Sequence, residues 1–246
     1  MRTENKSRRY LCSKRKTFVL QRDFHNAQAW ALIAGVASEE KKSEIIKSVQ
    51  KYLKTDYGYT LNYPEYTEYD PRIGRLSSIE PGTLENASVY IHGNVFWIMG
   101  LLLAGENDLA YQTMQLIDPA NPALAGKPSV PYVYANCYYG PSYEKCPGKM
   151  EHSWITGSVN WIMLAVIDFM FGVRRNYDGL HIAPSLPAEI KNAGIVRKFR
   201  DCEYTINVIN NGKNITALYV NGEQADKDKA LPYKAGGKYE VRVITG

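Results

Sequence analysis

The apolar residues of this chain change their spacing once, close to Gly172, and that change limits the folds open to it more than any other feature. From about Asn26 to Ile117 they recur at helical intervals, with Trp30, Ile33, Ala34 and Ala37 in one stretch and Ile45, Ile46, Val49, Tyr52 and Leu53 in the next. Val95–Leu103 and Val159–Phe171 read as two further apolar helices and Leu109–Ile117 as an amphipathic one, with Gly105, Pro119, Pro122 and Gly172 as breakers. Beyond Gly172 the period falls to two, through Val196, Phe199, Tyr204–Ile209, a turn at Asn210-Asn-Gly, Ile215–Val220 and Tyr239–Ile244. The expected fold class is mainly α with a C-terminal β domain, a small antiparallel β-sandwich. The expected division is a helical part over 17–173 and a β part over 174–246, with no repeat of solenoid period.

At 246 residues, with 45% hydrophobic and 22% charged content, the chain can bury a real core. Its net charge of +5 is modest, and the basic residues gather in the segment 1–16 (Arg2, Lys6, Arg8, Arg9, Lys14, Arg15, Lys16), which reads as a solvated, poorly ordered end. No base-stacking or groove-reading motif accompanies it, so nucleic acid is not an expected partner. Cys12, Cys137, Cys146 and Cys202 show neither Cys-x-x-Cys spacing nor a dense framework, so neither metal nor disulfides are expected, and reduced thiols fit a cytoplasm. The most apolar run, Trp161–Phe171, is too short to span a bilayer and contains Asp168, so no membrane association is expected. Asn86-Ala-Ser and Asn214-Ile-Thr match the glycosylation sequon, a pattern short enough to arise by coincidence.

Three features could carry chemistry. Thr156, Gly157 and Ser158 stand directly before an apolar helix, where free N–H groups and the helix dipole make an anion site, although plain N-capping is the commoner role for such residues. Glu85 precedes His92 by seven residues, again ahead of an apolar helix, so both could reach one cleft; an ordinary ion pair and a structural histidine are the plainer roles. Asp168 in an apolar helix must pair or be protonated if buried, with Arg174 or Lys198 as sufficient partners. Nineteen tyrosines against six phenylalanines, many in loops (Tyr63, Tyr66, Tyr69, Tyr132, Tyr134, Tyr138, Tyr139), suit either sugar faces or the covering of helix ends. There is no P-loop, nucleotide fingerprint or nucleophile elbow.

Read in order, Asn26–Ala37, Tyr57–Leu61, Pro81–His92, Pro131–Tyr134, Trp154–Trp161 and Gly172–Pro184 are similar to successive segments of glycoside hydrolase family 94, the cellobiose phosphorylase family, over about residues 17 to 209. The resemblance implies the later part of an (α/α)6 barrel followed by a small jelly-roll-like domain. It implies inverting phosphorolysis of a β-linked disaccharide by inorganic phosphate, a co-substrate, with no cofactor. By motif, phosphate binding falls on His92, Thr156 and Gly157, and sugar binding on Glu85 and on Asn136, where relatives usually carry glutamine. Ala87-Ser88 replaces two glycines frequent in relatives. The family's general acid is an aspartate shortly after a tryptophan, and none of Trp30, Trp97, Trp154 and Trp161 begins such a motif. The expectation is therefore a C-terminal fragment, inactive alone, that associates with an N-terminal portion or forms a homodimer; a non-catalytic carbohydrate-binding or assembly module is the alternative.

Overall fold

The computed structural model describes residues 23–127, 130, 132–154 and 156–246, so the basic segment 1–16 and Cys12 lie outside the described residues. The helices fall in the first two-thirds: α1 (His25–Ile33), α2 (Glu39–Tyr52), α3 (Ile91–Leu103), α4 (Asn107–Ile117) and α5 (Ser158–Leu164), the last continuing into a π-helical turn over Ala165–Met170. Ser38 caps α2 by accepting from the Lys41 N–H, and Glu39 and Glu40 in the first turn complement the helix dipole. Helix α3 is apolar on nearly every side and therefore lies inside, with ten of its residues from Ile91 to Leu102 buried.

Helix α1 departs from its expected face. The expected stripe was Trp30, Ile33, Ala34 and Ala37, yet the helix ends at Ile33 and buries His25, Ala29 and Leu32 instead. Trp30 stays 45% exposed at the edge, its ring 5.0 Å from Phe96. The reason is close packing: a Cβ at Gly100 of α3 would meet the Ala29 carbonyl oxygen and the Leu32 Cβ at 3.0 Å, an approach for which a bulky indole leaves no room.

Short strands stitch the loops between helices. β1 (Asp23–Phe24) pairs with β4 (Asn62–Tyr63), and β2 (Lys54–Thr55) with β3 (Gly58–Tyr59). β5 (Val89–Tyr90), β6 (Ala135–Tyr138) and β7 (Met150–Ser153) form a three-stranded sheet in that order. The buried Asn94 of α3 ties this layer to the helices, accepting from the Tyr59 N–H at 2.8 Å and donating to the Tyr59 and Tyr90 carbonyls, each at 2.9 Å.

After the π turn come the hairpin β8 (Val173–Arg175) and β9 (Leu180–Ile182) and the long strands β10 (Asn192–Phe199), β11 (Cys202–Asn210), β12 (Ile215–Val220), β13 (Glu223–Gln224) and β14 (Lys238–Thr245). Their sheet order is β10-β11-β14-β12-β13, and β11 with β14 is a parallel pair, a correction to the expected antiparallel arrangement. The chain does reverse after Asn210, but β14 enters between β11 and β12 and takes the ladder that a simple hairpin would have formed. One contiguous cluster of buried residues runs from Ala29 through Trp97 and Met170 to Val243. Across the junction, Asp108 accepts from the Ala188 N–H at 2.6 Å and Lys213 donates to the Gly105 carbonyl at 3.0 Å.

His25 is fully buried, stacked on Tyr59 at 5.6 Å, and neither ring nitrogen has a hydrogen-bond partner among the described residues. Burial lowers its pKa from 6.5 to about 3. A base held neutral in the fold binds its proton only on unfolding, so stability falls as pH drops below 6.5, by about 1.4 kcal/mol per pH unit until the folded pKa is reached. Urea unfolding at pH 7.5, 6.5 and 5.5 should show this loss, and His25→Leu should have a slope shallower by about one proton; equal slopes would assign the acid sensitivity elsewhere.

Candidate functional site at two helix N-termini

The site follows from strand pairing. β6 runs antiparallel to β5 (Val89 opposite Tyr138, Tyr90 opposite Cys137) and to β7 (Ala135 opposite Ser153, Cys137 opposite Glu151, Tyr138 opposite Met150). Two strands antiparallel to the same middle strand are parallel to each other. β5 runs directly into α3, and β7 leads within five residues into α5, so both helices start from the same end of the sheet.

His92, in the first turn of α3, therefore meets the N-cap of α5. A Cβ at Gly157 would lie 3.1 Å from His92 Cε1, 3.6 Å from Nδ1 and 3.7 Å from Nε2, so the imidazole rests against the glycine backbone. Phe96, one turn along α3, and Trp161 on α5 hold the ring from other sides, at 4.5 and 6.1 Å between centroids, and pack edge-to-face on each other at 5.1 Å. The His92 Nε2 is buried without a hydrogen-bond partner among the described residues, and burial lowers the ring's pKa. Thr156 Oγ1 accepts from the Ser158 N–H at 3.2 Å and lies 2.5 Å from Ser158 Oγ. The N-cap of α5 is Gly157, without a side-chain cap bond, and Thr156 satisfies the first helical N–H from the position before it, while the hydroxyl pair keeps a proton available for a ligand. The arrangement suits an anion: an aromatic-clamped imidazole, two hydroxyls and a glycine backbone at a helix start.

Glu85 and Asn136 lie on neighbouring segments. Glu85 is on the loop before β5, exposed, its carboxylate 3.2 Å from Arg75. Asn136 is half-buried on β6. β6 and β7 bring together two residues that the sequence did not single out as a pair: Cys137, fully buried, donates its thiol to Glu151 Oε2 at 3.2 Å. Burial first, then the Glu151 charge, pushes that thiol up, and the charge of Glu85 also reaches it. Only the register of β6 on β7 reveals this pairing, since fourteen residues separate the two in sequence.

Asp168 is half-buried, and the structure exchanges its expected partners. Its carboxylate is 3.6 Å from Arg175, whereas Arg174 donates to its backbone carbonyl at 3.0 Å and stacks on Phe169. Asn86 is fully buried and donates to the Tyr66 and Ile79 carbonyls, so its sequon presents no acceptor on the folded surface. The loop tyrosines divide: Tyr66 and Tyr138 belong to the core, while Tyr63, Tyr69 and Tyr132 are exposed. Among the described residues, no His, Cys, Asp and Glu cluster could hold a metal ion, and no helix is long and apolar enough to cross a membrane.

Residues 11–172 match the family described as "Glycosyl hydrolase 94 superfamily, catalytic domain". Among proteins of known activity, the chain is 33% identical over 225 residues to a 3-O-beta-D-glucopyranosyl-beta-D-glucuronide phosphorylase of Paenibacillus borealis, covering 89% of this chain and 29% of that protein. It is 31% identical over 223 residues to a solabiose phosphorylase of the same organism, with the same coverages of 89% and 29%. To an N,N'-diacetylchitobiose phosphorylase of Vibrio furnissii it is 30% identical over 222 residues, covering 88% of this chain and 27% of that protein. The chain thus spans under a third of the length of these relatives.

A neutral, half-buried His92 that gains a proton beside an anion makes binding proton-linked. Because the free ring titrates below 6.5, affinity for sulfate, whose own charge is constant over this range, should rise as pH falls from 7.5 to 5.5. In His92→Gln, calorimetric titration should find weaker binding with no such rise; an unchanged pH dependence would remove His92 from the site.

Proposed function

The chain belongs to the glycosyl hydrolase 94 superfamily, and from that premise we propose that it forms the phosphate-binding half of an inverting disaccharide phosphorylase. The observation that carries this reading is the buried, partnerless Nε2 of His92 held against the Gly157 backbone at the start of α5. In the proposed reaction, His92, Thr156 and Gly157 hold inorganic phosphate, while Glu85 and Asn136 bind the donor sugar of a β-linked disaccharide. Phosphate is already an anion, so it attacks the anomeric carbon without a base. One carboxylic acid then suffices to protonate the departing oxygen, and inversion gives an α-sugar 1-phosphate.

That acid comes, on this reading, from outside these 246 residues, and the chain alone does not turn over. Exposed apolar side chains near the site support a segment that covers it: Val159 and Met163 on α5 and Trp30 on α1. The covering portion would complete an (α/α)6 barrel whose later helices are the part over 17–173, with 174–246 as the jelly-roll-like domain. Homodimer formation and a cytoplasmic location, where phosphate is plentiful, belong to the same proposal.

The test is phosphate-dependent release of glucose 1-phosphate from β-linked glucosyl disaccharides, with the chain alone and with an N-terminal portion from a homologous phosphorylase. Activity is expected only in the combined protein, and His92→Ala or Thr156→Ala should each lower kcat/KM by about a hundredfold or more, the scale of losing a charge-assisted contact to a reacting anion. Glycan binding without phosphorolysis in the combined protein would instead establish a carbohydrate-binding module. Gly157→Ala is a finer probe. Gly157 has φ −85° and ψ 3°, a turn conformation that alanine can take, so the fold should hold while a Cβ 3.1 Å from the clamped ring weakens phosphate binding about tenfold; unchanged phosphate affinity would contradict the assignment.

A further inference from the structure

The backbone of the loop that carries Glu85 is tethered on both sides of that residue, while among the described residues the Glu85 side chain itself meets only Arg75 on the exposed surface. Gly82 donates its N–H to the Asn86 carbonyl and accepts at its own carbonyl from Gly140, each at 2.7 Å. Asn86 accepts from the Tyr66 N–H at 2.9 Å, and Ser88 Oγ donates to the Leu84 carbonyl. Leu84 and Ala87 have φ of +42° and +64°, conformations that non-glycine residues hold only when their surroundings impose them. At Leu84, the residue next to Glu85, Ser88 holds the carbonyl and Glu151 of β7 holds the N–H: Glu151 Oε2 accepts from the Leu84 N–H at 3.1 Å and from the Cys137 thiol at 3.2 Å. One oxygen, bonded also to a buried thiol on the adjacent strand, thus holds the N–H of the residue just before Glu85.

We propose that Glu151 is a positioning residue for sugar recognition, holding Leu84, and through it Glu85, in place by reach rather than by charge. The proposal rests on the reading of Glu85 as a sugar-binding residue, and it assigns Glu151 no contact with substrate. Its thermodynamic basis is pre-organisation: a loop fixed beforehand loses less freedom when the sugar binds.

Two substitutions separate reach from charge. Glu151→Gln keeps a carbonyl oxygen at the same distance and removes the charge; Glu151→Asp keeps the charge and draws the oxygen back by one methylene. Amide hydrogen exchange at Leu84 is read in the chain itself, and KM for disaccharide and for phosphate in the combined protein described above. Glu151→Gln should keep Leu84 protection and disaccharide KM within about twofold, whereas Glu151→Asp should lose about tenfold in protection and raise disaccharide KM about tenfold with phosphate KM unchanged, the scale of one hydrogen bond. An aspartate variant that matches the wild type, or a glutamine variant as impaired as the aspartate one, overturns the proposal. If Glu85→Ala leaves disaccharide KM untouched, or the combined protein releases no sugar phosphate, the functional reading fails; exchange at Leu84 then still decides whether Glu151 holds the loop, and unchanged exchange in Glu151→Asp refutes it.

Discussion

The pairing of β6 with β5 on one edge and β7 on the other is the interaction on which the site depends. These strands are short, β5 only two residues long, yet their common antiparallel partner makes β5 and β7 run the same way. Each then delivers a helix start at the same end of the sheet. His92 and the Thr156–Gly157 pair are separated by more than sixty positions along the chain, and no local propensity brings them together. The buried Asn94 reinforces the arrangement by bonding at once to β3 and to the end of β5, which fixes where α3 begins. A buried amide with its bonds made is a specific clamp, because any other placement of α3 would leave those groups unpaired.

A second constraint is the room around His92. The ring is enclosed by Phe96, Trp161 and the bare backbone of Gly157, and burial keeps it neutral. An enclosed neutral base with an unused nitrogen is costly in a resting fold and useful beside an anion, where the proton it takes up and the anion's charge stabilise each other. His25 is the contrasting case: both its ring nitrogens lack partners among the described residues, but it is sealed between Tyr59 and Trp97, where no ligand reaches it. Chemical type alone does not separate the two histidines; their surroundings do.

Much of the framework was legible in the sequence. Helical periods placed α2, α3, α4 and α5, and period two placed β11, β12 and β14, because a pattern repeated over several residues marks an element; β10 was placed too, although its Val196 faces outward and none of its residues is fully buried. The pairing partners were not legible: β14 between β11 and β12, and Cys137 opposite Glu151, are choices of register made across long sequence separations. The face of α1 was misread because Trp30 looks like core, while the residues packed on Gly100 are the small Ala29 and the slim Leu32. At the site, Thr156-Gly157 before an apolar run and His92 at a helix start were readable as motifs. Their convergence required the sheet, and Glu151 gave no signal beyond being one acid among many.

The central claim is that His92 and the start of α5 form one anion site. Titrating the chain with inorganic phosphate while following its amide and histidine NMR signals tests this directly. The account predicts that the Gly157 and Ser158 amides and the His92 ring shift together, saturating with one dissociation constant, with Asn94 and the β11–β14 ladder unmoved. Shifts at His92 and at Gly157 with different dissociation constants, or no saturable shift at either, would contradict it.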